Sequence, residues 1–183
     1  MLFIQRLWSL VMAMGMVVLP HTAHGDGAPS TVAVITNDTG AHLGAYFRSL
    51  AEAPEVGAVV LAYPDGNAQE QARKLLGEKL TAVYPGEAAL YAAESPVMAL
   101  VTMEAREAPK AIQTALEAGC HVLAEKPACV SAEDFEKLVV LAEKKERHLM
   151  LALANRLNPE IQKAKALVET GALGRIYGLQ MNL

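Results

Sequence analysis

The residues best equipped for chemistry lie in one short run, Glu125-Lys126-Pro127. They follow a helical pattern that stops at Gly119 and an apolar stretch, His121-Val122-Leu123-Ala124, that reads as one buried strand. A lysine at the carboxyl end of a parallel strand overlooks the crevice where such sheets bind ligands. There it can give a proton or a hydrogen bond to a substrate hydroxyl, and partial burial is expected to lower its pKa into a useful range. Pro127 fixes the backbone just after the lysine, and an X-Pro bond can be cis at such a turn. The alternative is an ordinary solvated pair at a strand end. The other reactive residue types are less promising. Cys120 and Cys129 bracket the strand, too far apart along an extended backbone for a disulfide. They are expected to be free, mostly buried thiols, and no metal site is indicated. His42, His121 and His148 fall at a helix start and at two strand starts, so a structural role is expected for them.

The elements that must position Lys126 alternate along the chain. Apolar, β-branched runs at 31–35, 56–63, 80–84, 97–103, 121–124 and 148–154 read as strands buried on both faces. Between them, helical spacing covers 41–53, 68–76, 87–93 and 108–118, and a further helix starts at Ser131. Ser131 is the expected N-cap of the last of these, with Glu133 and Asp134 in its first turn. Asn67 is the expected N-cap of the second, and Pro109 is tolerable only in a first turn. Strict alternation means an α/β fold, a doubly wound, Rossmann-like parallel sheet. Its ligands belong outside the carboxyl ends of the strands, near the reversal of strand order. The ends to inspect are 36–40, 63–65, 102–106, 125–127 and 155–156. Beyond residue 154 the rhythm changes. A helix over 159–169, with Ile161, Ala164, Leu167 and Val168 inward, and a strand over 175–183 read as the first helix and strand of a second α/β domain that is incomplete, or truncated. The expected division is a signal peptide over 1–25, the Rossmann-like domain over 26–154 and this start of a second domain over 155–183.

The chain has 183 residues, a formal net charge of −4 and 52% hydrophobic residues. That suits one ordinary domain with a fragment attached. A mildly acidic balance with dispersed Lys and Arg argues against nucleic acid as a partner. Arg6, the apolar stretch 7–19 and the small residues around Ala23-His24-Gly25 form a secretory signal pattern, with cleavage expected before Asp26. The protein is therefore expected to be secreted or periplasmic, with no membrane association after cleavage. An uncleaved anchor is the alternative.

The run Ala115-Leu116-Glu117-Ala118-Gly119-Cys120-His121-Val122-Leu123-Ala124-Glu125-Lys126-Pro127 resembles the signature of the glucose–fructose oxidoreductase, inositol dehydrogenase and rhizopine-catabolism (Gfo/Idh/MocA) family. Asn155-Arg156-Leu157-Asn158-Pro159 and Gly171-Ala172-Leu173-Gly174-Arg175-Ile176 resemble its next two blocks, in the right order. The resemblance covers roughly residues 31–183. It implies an oxidoreductase, exported if the signal pattern acts, that transfers hydride between NAD or NADP and a sugar or polyol, with Lys126 as the catalytic or substrate-orienting lysine. It assigns the cofactor to Thr36, Asn37, Gly40, Ala41, Asp65, Glu125, Lys126 and Arg156, and it implies a homo-oligomer.

The sequence also departs from the family pattern. In place of Gly-x-Gly-x-x-Gly/Ala stand Thr36, Asp38 and Ala41, and only the third fits; Gly40 and Gly44 could supply a rearranged loop. A carboxylate at Asp38 would repel a diphosphate by roughly 1–4 kcal/mol at ~4 Å; alternatively Asp38 or Thr39 caps the following helix. Tyr63 stands where an acidic residue usually meets the adenosine ribose, with Asp65 either serving the ribose or making the turn. Ala108 stands where the family often has histidine, and the family's later Asp/His pair would fall past Leu183. These departures keep a second function in view: a non-catalytic or truncated descendant that binds a nucleotide, a sugar or a partner without turnover.

Overall fold

The structure, a computed structural model, describes residues 29–37, 40–63 and 66–180. The expected signal segment, together with Asp38, Thr39 and Asp65, lies outside the described residues.

Among the described residues six strands form one parallel sheet: β1 (Ser30–Thr36), β2 (Val56–Ala62), β3 (Leu80–Tyr84), β4 (Met98–Thr102), β5 (His121–Ala124) and β6 (Leu149–Leu151). Their spatial order is β3-β2-β1-β4-β5-β6, the doubly wound order with its reversal between β1 and β4. The helices are α1 (Leu43–Glu52), α2 (Gly66–Leu76), α3 (Glu87–Ala93), α4 (Ala108–Glu117), α5 (Ala132–Lys144) and α6 (Pro159–Glu169). This is the expected fold class.

Strand alternation distributes the core over both faces. Val32, Val34, Val59, Leu61 and Leu100 point to Tyr46, Phe47 and Leu50 of α1 and to Ala72 and Leu76 of α2. Ala33, Ile35, Val60, Ala99 and Val101 point the other way, to Leu90 of α3, to Ala111, Ile112, Ala115 and Leu116 of α4, and to Leu138 of α5. Side chains such as Phe47 and Leu50, fully buried, contribute about 1.5–3 kcal/mol each by leaving water.

The helix ends explain how the strands reach the site. Gly119, at φ 86°, ends α4. The Gly119 N–H donates to Leu116 O at 3.1 Å and the Cys120 N–H to Ala115 O at 3.0 Å, satisfying two terminal carbonyls before β5 begins. Pro109 lies in the first turn of α4, and Ser131 Oγ caps α5 by accepting from the Asp134 N–H at 3.1 Å. The far end of α1 is held by Lys79, whose Nζ donates to Leu50 O, Ala51 O and Ala53 O at 3.1, 2.7 and 2.8 Å. An ammonium on the last carbonyls also opposes the negative end of the helix dipole. Cys120 is buried and Cys129 half-buried, both as free thiols. His121 and His148 stack at the amino edge of the sheet, ring centroids 5.1 Å apart, and the His148 N–H donates to His121 Nδ1.

Several expectations need correction. Helix α1 starts at Leu43, and its N-cap is His42 in the left-handed region at φ 60° with no side-chain cap; the suggested caps, Asp38 and Thr39, lie outside the described residues. Helix α2 starts at Gly66, which places Asn67 inside its first turn rather than at its cap. Strand β6 is cut to Leu149–Leu151 because the Leu153 N–H turns back onto Leu151 O at 2.8 Å, and residues Ala154–Leu157 then coil into a 3-10 turn. Helix α6 buries none of its residues; Leu167 and Val168 are exposed, because no other helix or strand packs over them among the described residues. Residues 175–180 form no strand, since an isolated strand has no ladder partner to stabilise it.

One buried acid offers a test of this packing. Glu87 begins α3; its Oε1 accepts from Thr114 Oγ1 at 3.1 Å, while Oε2 is buried with no hydrogen-bond partner among the described residues. Burial pushes its carboxyl above the usual range, opposed in part by Thr114 and Lys110. The fold therefore prefers the neutral acid. Its contribution to stability is complete below the ordinary carboxylate pKa and is lost as pH rises through the raised value. Glu87→Gln should be more stable than the parent near pH ~8, with the gap closing near pH ~4. Thermal unfolding at both pH values checks this; a pH-independent gap would contradict it.

Candidate cofactor and substrate crevice

At the reversal of strand order the carboxyl ends of β1 and β4 lie side by side, Thr36 paired with Thr102. Both threonines are fully buried. The chain leaving β1 folds back over these two ends. Gly40 N–H donates to Asn37 O at 3.1 Å, and Thr102 Oγ1 donates to Ala41 O at 2.8 Å. The approach is close enough to require glycine: a β-carbon on Gly40 would lie 2.1 Å from Thr36 Oγ1 and 2.9 Å from Thr102 O. In front of this fold Asn37 Nδ2 donates to Glu107 Oε2 at 2.5 Å, joining the loop after β1 to the start of α4.

The chain then enters α1, whose first turn borders a polar cavity of about 500 Å³. His42, Gly44 and Arg48 line it on one side and Asn67 and Gln71 on the other, with Asn37 and Gly40 at the loop end. N-terminal N–H groups and a guanidinium suit an anion there.

Lys126 is presented from β5. Its side chain is 54% exposed, so the burial expected of it is not found: the lysine leaves the strand end toward solvent. Its anchor is Glu125, only 4% exposed. Glu125 Oε1 accepts from the Lys126 N–H at 2.9 Å and lies 3.9 Å from Lys126 Nζ. Glu125 Oε2 accepts from Tyr46 Oη of α1 at 2.5 Å, and Tyr46 is itself 3% exposed. Burial, the hydrogen bond and the negative charge of Glu125 together push the Tyr46 hydroxyl far above its ordinary pKa, so it remains a donor. The Lys126-Pro127 bond is cis.

The expected site residues therefore fall into separate groups. Thr36, Asn37, Gly40 and Ala41 form one loop, and Glu125 and Lys126 connect to that loop's helix through Tyr46. Arg156 is elsewhere: it sits in the 3-10 turn after β6 and lines an apolar cavity of about 320 Å³ with Phe135, Leu149 and Leu151. Asp65 lies outside the described residues. Tyr63 is turned at φ 58°, with its ring against the loop after β3: a β-carbon on Gly86 would lie 2.9 Å from Tyr63 Cε1. Tyr46, Arg48, Gln71 and Glu107 were not foreseen, whereas Thr102 stands at one of the strand ends singled out for inspection. Tyr46 shares the helical spacing of Leu43, Phe47 and Leu50 and so reads as core. The signal that could have found it is chemical: a buried phenol needs an acceptor and a buried carboxylate needs a donor.

Strand order, with the crevice at its reversal and a polar cavity beside the first helix, defines a doubly wound, Rossmann-like α/β domain. Comparison with known proteins narrows this. Residues 80–153 match the oxidoreductase family with an NAD-binding Rossmann fold, the Gfo/Idh/MocA family. Over this stretch, which includes the Glu-Lys-Pro block, the chain is similar to that family's NAD-binding domain. The matched stretch contains Lys126 and stops short of the loop at 36–41. A curated dehydrogenase from Comamonas testosteroni, acting on 1-carboxy-3-chloro-3,4-dihydroxycyclohexa-1,5-diene, is 34% identical over 64 residues, covering 35% of this chain and 16% of that protein. Among solved structures, myo-inositol 2-dehydrogenase from Lactobacillus plantarum has a TM-score of 0.69 at 20% identity, covering 81% of this chain and 43% of that one. Scyllo-inositol dehydrogenase from Lactobacillus casei, with bound NAD(H) and scyllo-inositol, has a TM-score of 0.69 at 18% identity and the same coverage. A 3-ketoreductase from Actinomadura kijaniata, in complex with NADP, has a TM-score of 0.69 at 23% identity, covering 81% and 46%. These structural likenesses establish the fold, and the chain spans less than half the length of the solved chains it matches.

The residues present fit a nicotinamide dinucleotide on one side of the loop. The cavity beside α1 offers space, a cation and amide side chains, whereas the space at Gly40 is taken by Thr36 and Thr102. Gly40→Ala should therefore destabilise the domain by about 1–3 kcal/mol through overpacking. Adding Thr36→Ala should recover part of the loss, because Thr36 Oγ1 is the nearest atom. Urea unfolding of both variants checks this; an Ala at position 40 without cost would show that the loop is not packed onto the strand ends.

Proposed function

We propose that this domain binds NAD or NADP at the carboxyl edge of the sheet and belongs to a protein that transfers hydride to or from a carbon of a sugar or polyol. The observation that carries the reading is Lys126: a solvent-facing ammonium at the end of β5, with its backbone tied to a buried carboxylate. When bound, the nicotinamide supplies the hydride chemistry. The chain's own contribution is placement and proton handling. Asn37, His42, Arg48 and the first turn of α1 would hold the anionic part of the dinucleotide. Lys126 Nζ would hydrogen-bond the substrate hydroxyl and give or take its proton as the carbon changes oxidation state. Export through residues 1–25 is part of the proposal; amino-terminal sequencing of protein recovered from expressing cells should start at Asp26, and a start at Met1 would count against it.

A second reading is binding without turnover. It is favoured by the loop after β1, where Thr36 stands in place of a glycine and Gly40 is packed onto Thr36 and Thr102. Calorimetric titration of the chain with NAD(H) and NADP(H) separates the cases. Saturable binding below about millimolar, weakened at least about tenfold by Arg48→Ala, is expected from a lost charge-assisted contact. No saturable heat would remove the hydride-transfer reading for this domain and leave the second only for a sugar or a partner. Binding that is never accompanied by polyol-dependent cofactor reduction would favour the second.

A further inference from the structure

The bond between Tyr46 and Glu125 joins two parts of the fold that are 79 residues apart, the helix after the β1 loop and the turn that carries Lys126. A carboxylate this buried needs a donor on each oxygen. Oε1 has the Lys126 N–H and Oε2 has the Tyr46 hydroxyl. A further donor close by is the Lys126 ammonium, 3.9 Å from Oε1 on a flexible and mostly exposed side chain. With Oε2 satisfied by Tyr46, the ammonium has no need to fold inward.

We propose that Tyr46 is a positioning residue: by donating to Glu125 it keeps that carboxylate satisfied without the Lys126 ammonium, and so leaves Lys126 extended toward the crevice. This deepens the reading of Lys126 as the substrate-facing group and rests on it for its functional meaning. The geometry itself can be tested without substrate or cofactor. Removing the Tyr46 hydroxyl leaves Oε2 without its donor in a water-poor site. The ammonium then closes on Glu125 as a charge-assisted pair, and an amine held this way is a slower nucleophile. Removing the charge with Glu125→Gln releases Lys126, and Tyr46 then has no charge to act through.

The test is pulsed acetylation of the full chain with N-hydroxysuccinimidyl acetate. Lys126 modification is read by mass spectrometry as a ratio to Lys145, an exposed lysine at the end of α5. Tyr46→Phe should lower the Lys126 ratio at least about threefold, and Glu125→Gln should leave it at or above the parent value. The double variant should match Glu125→Gln alone, a non-additivity that a merely structural tyrosine would not produce. An unchanged ratio in Tyr46→Phe overturns the proposal, as does a fall of the same size in both backgrounds. Should Tyr46→Phe not fold, Glu125→Gln, which keeps an amide able to bond Tyr46, decides alone: a Lys126 ratio below the parent value there overturns it. Because no dinucleotide takes part, failed NAD(P) binding would sink the hydride-transfer reading and leave this result standing.

Discussion

A buried carboxylate must find its donors inside the protein, and Glu125 is where the fold meets that demand. Taken from water without partners, such a group costs several kcal/mol. Here both oxygens are engaged, one by a backbone N–H on its own strand end and one by a phenol from α1. The bond fixes the lateral position of α1 against β5 across the reversal in strand order. It therefore also relates the loop at 36–41 to the turn at 125–127. Few alternatives would satisfy the same carboxylate.

Around that constraint the sheet supplies rigidity and the helix ends supply aim. The face toward α3, α4 and α5 is rich in alanine: Ala33, Ala62, Ala99 and Ala124 on the strands meet Ala108, Ala111 and Ala115 on α4. Small residues let the helix lie close to the strands, so the end of α4 hands the chain to β5 with little slack. Gly119 makes that transfer in the left-handed region. At the opposite end of α1, Lys79 holds three carbonyls. Helix α1 is thus tied at both ends, by Thr102 on Ala41 just before its first turn and by Lys79 after its last.

Much of this architecture was legible in the sequence, and the rest was hidden for identifiable reasons. Strand β5, the Gly119 stop, the Ser131 cap and the span of α6 follow from local rules, because each depends on residues within a turn of itself. The start of α1 does not. Ala41 has a good helical propensity, yet its carbonyl is engaged by Thr102, 61 residues away, and the helix begins two residues later. The end of β6 was hidden by hydropathy: residues 148–154 are nearly all apolar, and nothing in apolar character announces the tight turn after Leu151. The candidate site divides in the same way. Lys126 was visible because a short strand, a glycine and a proline bracket it. Tyr46 was not, since its spacing is that of the core and only the distant carboxylate gives its hydroxyl a purpose. Arg156 was placed with the cofactor by resemblance, and the 3-10 turn sets it beside Phe135, Leu149 and Leu151.

The order of the strands has a consequence for how the crevice comes into being. Strand β1 sits at the middle of the sheet, with β2 on one side and β4 on the other. The first neighbour follows it closely in the chain; the second arrives only after β2, β3 and three helices have been made. As synthesis proceeds, residues 30–84 can assemble a half-sheet whose central strand has an open flank. That flank is the future binding cleft, and it acquires its second wall only when Met98–Thr102 docks against Val32–Thr36. The crevice is a seam between an early half and a late half of the polypeptide, and a nascent chain halted before β4 has only one of its walls.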